Sequence, residues 1–213
     1  MYLVDAYVRP AKAEDLPAII ELEKKFGYKI VGVDDRFFRH SFNTDVKIFP
    51  VRVISAKSED EAKSLLRNLS KNEVVIAQAK DVGALRTFSK DRRANIIEIP
   101  PKLSPYLDRN QAELFSVGKS MIGFNASNLI DEPRLFWWLS FLTSYAERYA
   151  LHIVVYSGAR RFDEVIHPKV VLNMLIQAGV KKGRALMIKG RALMIIGMSR
   201  LEEILKKKAS AQT

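Results

Sequence analysis

Two arginines, Arg160 and Arg161, stand directly after the turn Ser157-Gly158-Ala159, which ends an apolar run. A glycine turn brings backbone N–H groups close to an anion, and guanidinium groups match phosphate with paired donors. Other basic residues gather in groups: Lys80, Arg86, Lys90, Arg92 and Arg93 in mid-chain, then Lys102, Arg109 and Lys119, then Lys169. A late group holds Lys181, Lys182, Arg184, Lys189 and Arg191, and the run Lys206-Lys207-Lys208 reads as a solvated tail. Over the whole chain 35 Lys and Arg face 24 Asp and Glu, a net charge of +11, which favours a phosphate-rich partner. Cations spread over several turns suit recognition of a structured RNA by its shape and backbone. No ladder of aromatic residues for stacking single-stranded bases is evident; Phe37, Phe38 and Tyr106 are the candidates. The favoured contacts are Arg160 and Arg161, followed by Arg86, Arg92, Arg93 and Lys102, with Lys80 and Lys169 beside them.

A different chemistry competes. Asp5, Asp34, Arg52, Gln78, Glu98 and Asn125 are polar residues inside apolar runs. In a barrel, those near the carboxyl ends of strands converge on one face. An enzyme acting on a small anionic substrate would use Asp5 or Glu98 as general base and Arg52 to hold the anion, with Asp34 nearby. The bland reading is a hydrogen-bonded polar layer with Arg52 paired to a carboxylate. The chain has no cysteine, which excludes disulfides, zinc ribbons and thiol nucleophiles. His40, His152 and His167 are isolated, so no metal site is expected, although a carboxylate-only magnesium site leaves no tight spacing. Ser157 lacks the flanking glycines of a nucleophile elbow. No catalytic residue is assigned.

These residues need a scaffold. Apolar runs at 2–8, 29–33, 48–55, 74–79, 95–99, 121–125 and 152–157 predict strands. Amphipathic stretches at 14–26, 58–69, 82–89, 108–117, 132–149 and 168–178 predict helices. Ser58-Glu59-Asp60-Glu61 resembles a capping box, Pro168 suits a first helical turn, and Gly179 suits the position after a helix end. Leu135, Trp138, Leu139, Leu142 and Tyr145 form one apolar helical face, read as core. Alternation of strands and helices implies a parallel sheet with crossovers. Seven strands favour a TIM-barrel-like α/β fold over an open doubly wound sheet, and no glycine-rich dinucleotide fingerprint follows any strand. One domain over 1–213 is expected, in the cytoplasm, since no signal peptide or membrane-length apolar run is present.

A tandem repeat follows: Gly183-Arg184-Ala185-Leu186-Met187-Ile188-Lys189, then Gly190-Arg191-Ala192-Leu193-Met194-Ile195-Ile196. Seven residues is nearly two helical turns, so a helix absorbs the insertion with its faces nearly in register, whereas a strand would invert them. The segment 183–196 is therefore read as helical, and two strands joined at Lys189-Gly190 are the alternative.

Ile96-Ile97-Glu98-Ile99, Val155-Tyr156-Ser157-Gly158-Ala159, and Ile166-His167-Pro168-Lys169-Val170-Val171-Leu172-Asn173-Met174-Leu175 ending in Ala178-Gly179-Val180 carry a family likeness. The chain resembles ribonuclease P protein component 3, the archaeal relative of the eukaryotic thirty-kilodalton ribonuclease P subunit. The resemblance runs from about Val74 to the C-terminus. Tyr156 and His167 stand where the family uses serine, and removing one copy of the repeat restores the family's spacing to the last helix. The resemblance implies a barrel related to metal-dependent phosphoesterases but without their histidine clusters. It implies an accessory subunit with no active site of its own, inside an endoribonuclease whose RNA, with magnesium ions, carries the reaction. The expected partners are ribonuclease P RNA, precursor tRNA through the complex, and a smaller ribonuclease P protein in a heterotetramer. The protein itself would bind no cofactor.

Overall fold

The computed structural model describes residues 3–38, 44–69 and 73–180. The repeat at 183–196, the late basic group, the lysine run and His40 lie outside the described residues. Seven strands pair in chain order, all parallel: β1 (Leu3–Val8), β2 (Tyr28–Asp34), β3 (Lys47–Ala56), β4 (Val74–Ala79), β5 (Ile96–Glu98), β6 (Met121–Asn125) and β7 (Ile153–Tyr156). Between and after them come α1 (Leu16–Lys25), α2 (Glu59–Arg67), α3 (Val82–Lys90), α4 (Arg109–Gly118), α5 (Asn128–Asp131), α6 (Phe136–Arg148) and α7 (Pro168–Gln177). This is the predicted TIM-barrel-like α/β architecture. Val75, Ile76, Ile97 and Ile122 are fully inaccessible, as strands covered on both faces require.

The barrel is nearly closed. Past the end of the β1/β7 pair of edges, three backbone hydrogen bonds join the two chain segments. Gly158 N–H donates to the Tyr7 carbonyl (3.0 Å), Arg9 N–H to Ala159 (2.9 Å) and Ala11 N–H to Arg160 (2.9 Å). Gly158 has φ +60°, and a Cβ there would lie 2.0 Å from Asn125 Oδ1. Only glycine fits this corner.

A bulge in β1 decides which way its polar residues face. The register jumps between Asp5 opposite Val31 and Val8 opposite Val33, which leaves one extra residue on β1. Gly32 makes room, because a Cβ there would sit 2.1 Å from the Ala6 carbonyl oxygen. The bulge breaks the period of two, so Asp5 meets α1 while Tyr7 reaches Asp34 and Tyr156.

Helix ends follow their local chemistry. The Ser58 hydroxyl accepts from Glu61 N–H (3.2 Å), but the Glu61 carboxylate accepts from Lys57 N–H (2.6 Å), one residue before the partner a full capping box uses. Pro168 opens α7, and Gly179 at φ +105° closes it: Val180 N–H donates to Leu175 and Gly179 N–H to Ile176, the paired bonds of a Schellman end. The predicted helix 132–149 begins instead as a 3₁₀ turn over Pro133–Leu135, with Pro133 at its first position, and α6 follows from Phe136. The short α5 was not predicted, since four residues leave no periodicity to read. Among the described residues no helix is long and apolar enough to cross a membrane.

Candidate functional site

Strand order places β4 across the barrel from the seam between β7 and β1, and the eight basic candidates divide between these two sides. Lys80 follows β4, Arg86 lies on the exposed face of α3, and Arg92 and Arg93 follow its C-terminus. Lys102 lies in the 3₁₀ segment after β5. Arg86 and Lys90 are four residues apart and share one helix face. Lys80, Arg86, Lys90, Arg92 and Lys102 are exposed and pair with no carboxylate among the described residues. Arg93 differs: Asp91 holds it at 2.7 Å.

The seam is organised otherwise. Arg160 is held by Glu164 (3.1 Å) and Asp131 (3.1 Å), and Arg161 by Asp163 (2.7 Å). The turn that precedes them offers no free donors to an anion. Ser157 N–H donates to Asp5, Gly158 N–H to Tyr7, Ala159 N–H to Ser157 Oγ and Arg160 N–H to Glu164. The turn is thus a closure for the barrel, and the expectation that its backbone cradles an anion is corrected on that ground. Lys169 opens α7 beside the C-terminal end of α1, where His167 packs edge-on against Phe26.

The strand-borne polar residues do not form one site. Asp5 is buried behind β1, where it accepts from Tyr7 N–H and Ser157 N–H, both at 3.2 Å, and neighbours Glu23 of α1. Glu23 is fully inaccessible and neither of its carboxyl oxygens receives a donor. Burial, then the charge of Asp5, pushes the Glu23 carboxyl up to about 11, and burial raises Asp5 as well, so the pair favours a protonated state over two buried charges. Arg52 is committed to Asp35 (3.1 Å) and Glu73 (3.2 Å), as the bland reading expects.

Asp34 and Glu98 anchor a belt through the barrel interior. Tyr7 donates to Asp34 (2.8 Å), which Arg36 also grips at 2.7 Å. Burial raises the Asp34 carboxyl, but the Arg36 and Tyr7 hydrogen bonds outweigh it and hold Asp34 below the usual range. Tyr7 meets Tyr156 edge to face at 5.9 Å. Tyr156 donates to Glu98, and Gln78 Nε2 donates to the other Glu98 oxygen at 2.8 Å. Desolvation, reinforced by Glu98, drives the Tyr156 hydroxyl far above its ordinary value. Both phenols therefore stay protonated donors.

Above this belt, at the C-terminal ends of β4, β5 and β6, opens a cleft of about 340 Å³. Gln78, Glu98 and Asn125 supply its polar floor, and Trp138 and Leu135 an apolar wall. Arg9 and Lys80, neither paired with a carboxylate among the described residues, also line it. Gly123 leaves the space: a Cβ there would come within 2.5 Å of Ile96 Cγ2 and 3.6 Å of Glu98 Cγ. Gln78, Glu98 and Asn125 are legible in the sequence as polar strand residues. Arg9 and Trp138 are not. Arg9 belongs to no basic cluster, and its signal is only its place one residue past the β1 apolar run. Trp138 reads as core and is core, 3 % exposed, yet its buried ring also forms the cleft wall, with Nε1 donating to Ile99 (2.9 Å). Among the described residues no three His, Asp or Glu side chains gather as a metal-ligating group.

No family model and no curated protein matches the chain. Among solved structures it is similar to a chain of an archaeal ribonuclease P determined by electron cryo-microscopy with mature tRNA. The TM-score is 0.72 at 15 % identity, over 96 % of this chain and 90 % of that one. The shared fold therefore includes the N-terminal strands, where the sequence resemblance is thin.

Proposed function

We propose that this chain is the barrel-shaped protein subunit of an archaeal-type ribonuclease P, a cytoplasmic component that binds and stabilises the catalytic RNA during removal of the 5′ leader from precursor tRNA. The observation that carries this reading is the fold likeness, at a TM-score of 0.72 over nearly all of both chains, to a chain of the archaeal ribonuclease P–tRNA complex. The resemblance of Val155–Ala159 and the α7 region to component 3 supports it, as does the net charge of +11. The RNA, with its magnesium ions, holds the reaction, and the protein contributes cations that neutralise packed phosphates and release counterions. Lys80, Arg86, Arg92 and Lys102 lead the contact set because no carboxylate among the described residues competes for them. Arg160, Arg161, Arg93 and Lys169 contribute from the ends of their elements. A smaller protein subunit completes a heterotetramer.

The test is purification from the native source at low salt and sequencing of the bound RNA. Enrichment of ribonuclease P RNA, and stimulation of precursor-tRNA cleavage in a reconstituted system, are the expected results. Failure to enrich that RNA, with no binding to added ribonuclease P RNA beside the smaller subunit, overturns the reading.

A further inference from the structure

We propose that the cleft over β4, β5 and β6 binds one nucleoside monophosphate unit, either a free nucleotide or a single unpaired nucleotide of an RNA. The inference stands apart from the ribonuclease P reading, since it needs only the cleft's own chemistry.

Three features of the lining fit the three parts of that ligand. Arg9 and Lys80 come from opposite sides of the barrel, after β1 and after β4, and neither has a carboxylate partner among the described residues. They present the charge that a phosphate needs, and Glu98, the carboxylate of the same lining, is engaged by Tyr156 and Gln78 rather than by either cation. Half-buried Leu135 and the edge of Trp138, which its bond to Ile99 and its stacking on Phe141 at 5.1 Å hold in place, give an apolar side for the base to lie against. The floor is hydrogen-bonding but mostly self-satisfied. Asn125 Oδ1 accepts from Ser127 N–H (3.0 Å) and Oγ (2.8 Å), which leaves its Nδ2 as a donor. Gln78 spends its Nε2 on Glu98, which leaves its Oε1 as an acceptor. Such a floor reads a base edge or a ribose hydroxyl without leaving a buried charge bare. The volume, about 340 Å³, lies in the range of small-ligand sites and far exceeds a bare phosphate. The C-terminal mouth is also where barrels of this architecture gather ligands.

Tryptophan emission, from Trp138 in the lining and its neighbour Trp137, provides the readout. The four nucleoside monophosphates, a short unstructured oligoribonucleotide, ribose 5-phosphate and inorganic phosphate are titrated against the whole protein while tryptophan fluorescence is followed. At least one mononucleotide is expected to change the emission with a Kd on the order of 10–100 µM. Arg9→Gln and Lys80→Gln are each expected to raise that Kd about tenfold. Unaltered melting temperatures show that these variants fold, and Lys63→Gln on α2 controls for loss of one positive charge elsewhere. Tighter binding of the oligoribonucleotide, with the same sensitivity to Arg9→Gln, identifies the source as RNA. Response to mononucleotides alone identifies a free nucleotide. The proposal is overturned by absence of a response to every nucleotide at millimolar concentration. It is equally overturned by binding that Arg9→Gln and Lys80→Gln leave unchanged, or by ribose 5-phosphate binding as tightly as the nucleotides.

Discussion

The α3 flank and the β7–β1 seam are both rich in arginine and lysine, yet they hold their charge in opposite ways. On the seam, Arg160 and Arg161 are tied to Glu164, Asp131 and Asp163, and the turn before them has given all its N–H groups to the protein. On the flank, Lys80, Arg86, Lys90 and Arg92 face solvent without a carboxylate partner among the described residues. A phosphate reaching the seam must displace an existing partner, whereas one reaching the flank displaces only water and counterions. Charge counted along a sequence therefore overstates the seam and understates the flank.

The contrast is open to direct attack, beginning with the seam's geometry. Gly158→Ala forces an L residue to φ +60° and drives its Cβ into Asn125, so unfolding in urea should show a loss of about 3 kcal/mol. A loss below about 1 kcal/mol would mean the corner is loose and its donors are free to turn outward.

Next comes the acid pair behind the same seam. Glu23 binds its proton far more tightly in the folded protein than at its ordinary 4.5. The stability this contributes is complete below that ordinary value and is lost as pH rises toward the folded value, because the unfolded chain releases a proton that the native one retains. Glu23→Gln keeps the side chain's shape and removes its titration. Melting between pH 5 and 9 should show a flatter profile and a gain of about 1–2 kcal/mol at the alkaline end. An unchanged slope would place the proton elsewhere.

Across the lumen, Tyr156→Phe removes the hydroxyl that Glu98 accepts and should cost about 1 kcal/mol. The smallest stability effects belong to the flank itself. Arg86→Ala should change unfolding by less than about 0.5 kcal/mol yet lower the salt dependence of the proposed RNA binding by about one unit of log slope. Arg160→Ala should do the reverse, costing up to about 1 kcal/mol of stability with a lesser change in slope, since its charge is already matched. Equal slopes for the two variants would erase the distinction between the regions.

The architecture was legible because β4 to β7 are buried on both faces and announce themselves as continuous apolar runs: 74–79 and 121–125 are read with their observed limits. Helix starts at Ser58 and Pro168 were marked by residues with one local use. The site was legible only as an inventory. Gln78 and Glu98 stand twenty residues apart, and nothing in their spacing says that parallel pairing sets them side by side at the ends of β4 and β5. Asp5, Asp34 and Glu98 look alike in the sequence, but a one-residue bulge sends Asp5 to the outside. Whether Arg160 is available to a ligand depends on Asp131, which is remote in the chain. Partners of this kind are decided by tertiary structure and leave no periodic trace.

The closing contact between Asp5 and Ser157 joins groups 152 positions apart, and this sets an order of events during synthesis. Until β7 and the turn after it have left the ribosome, β1 is paired on the β2 side alone, and Asp5 lacks the Ser157 N–H that it accepts from. Closure of the seam and the final hydrogen bonding of Asp5 then occur together. A nascent chain stalled before β7 would be left with a sticky parallel edge, a natural substrate for chaperones and proteases.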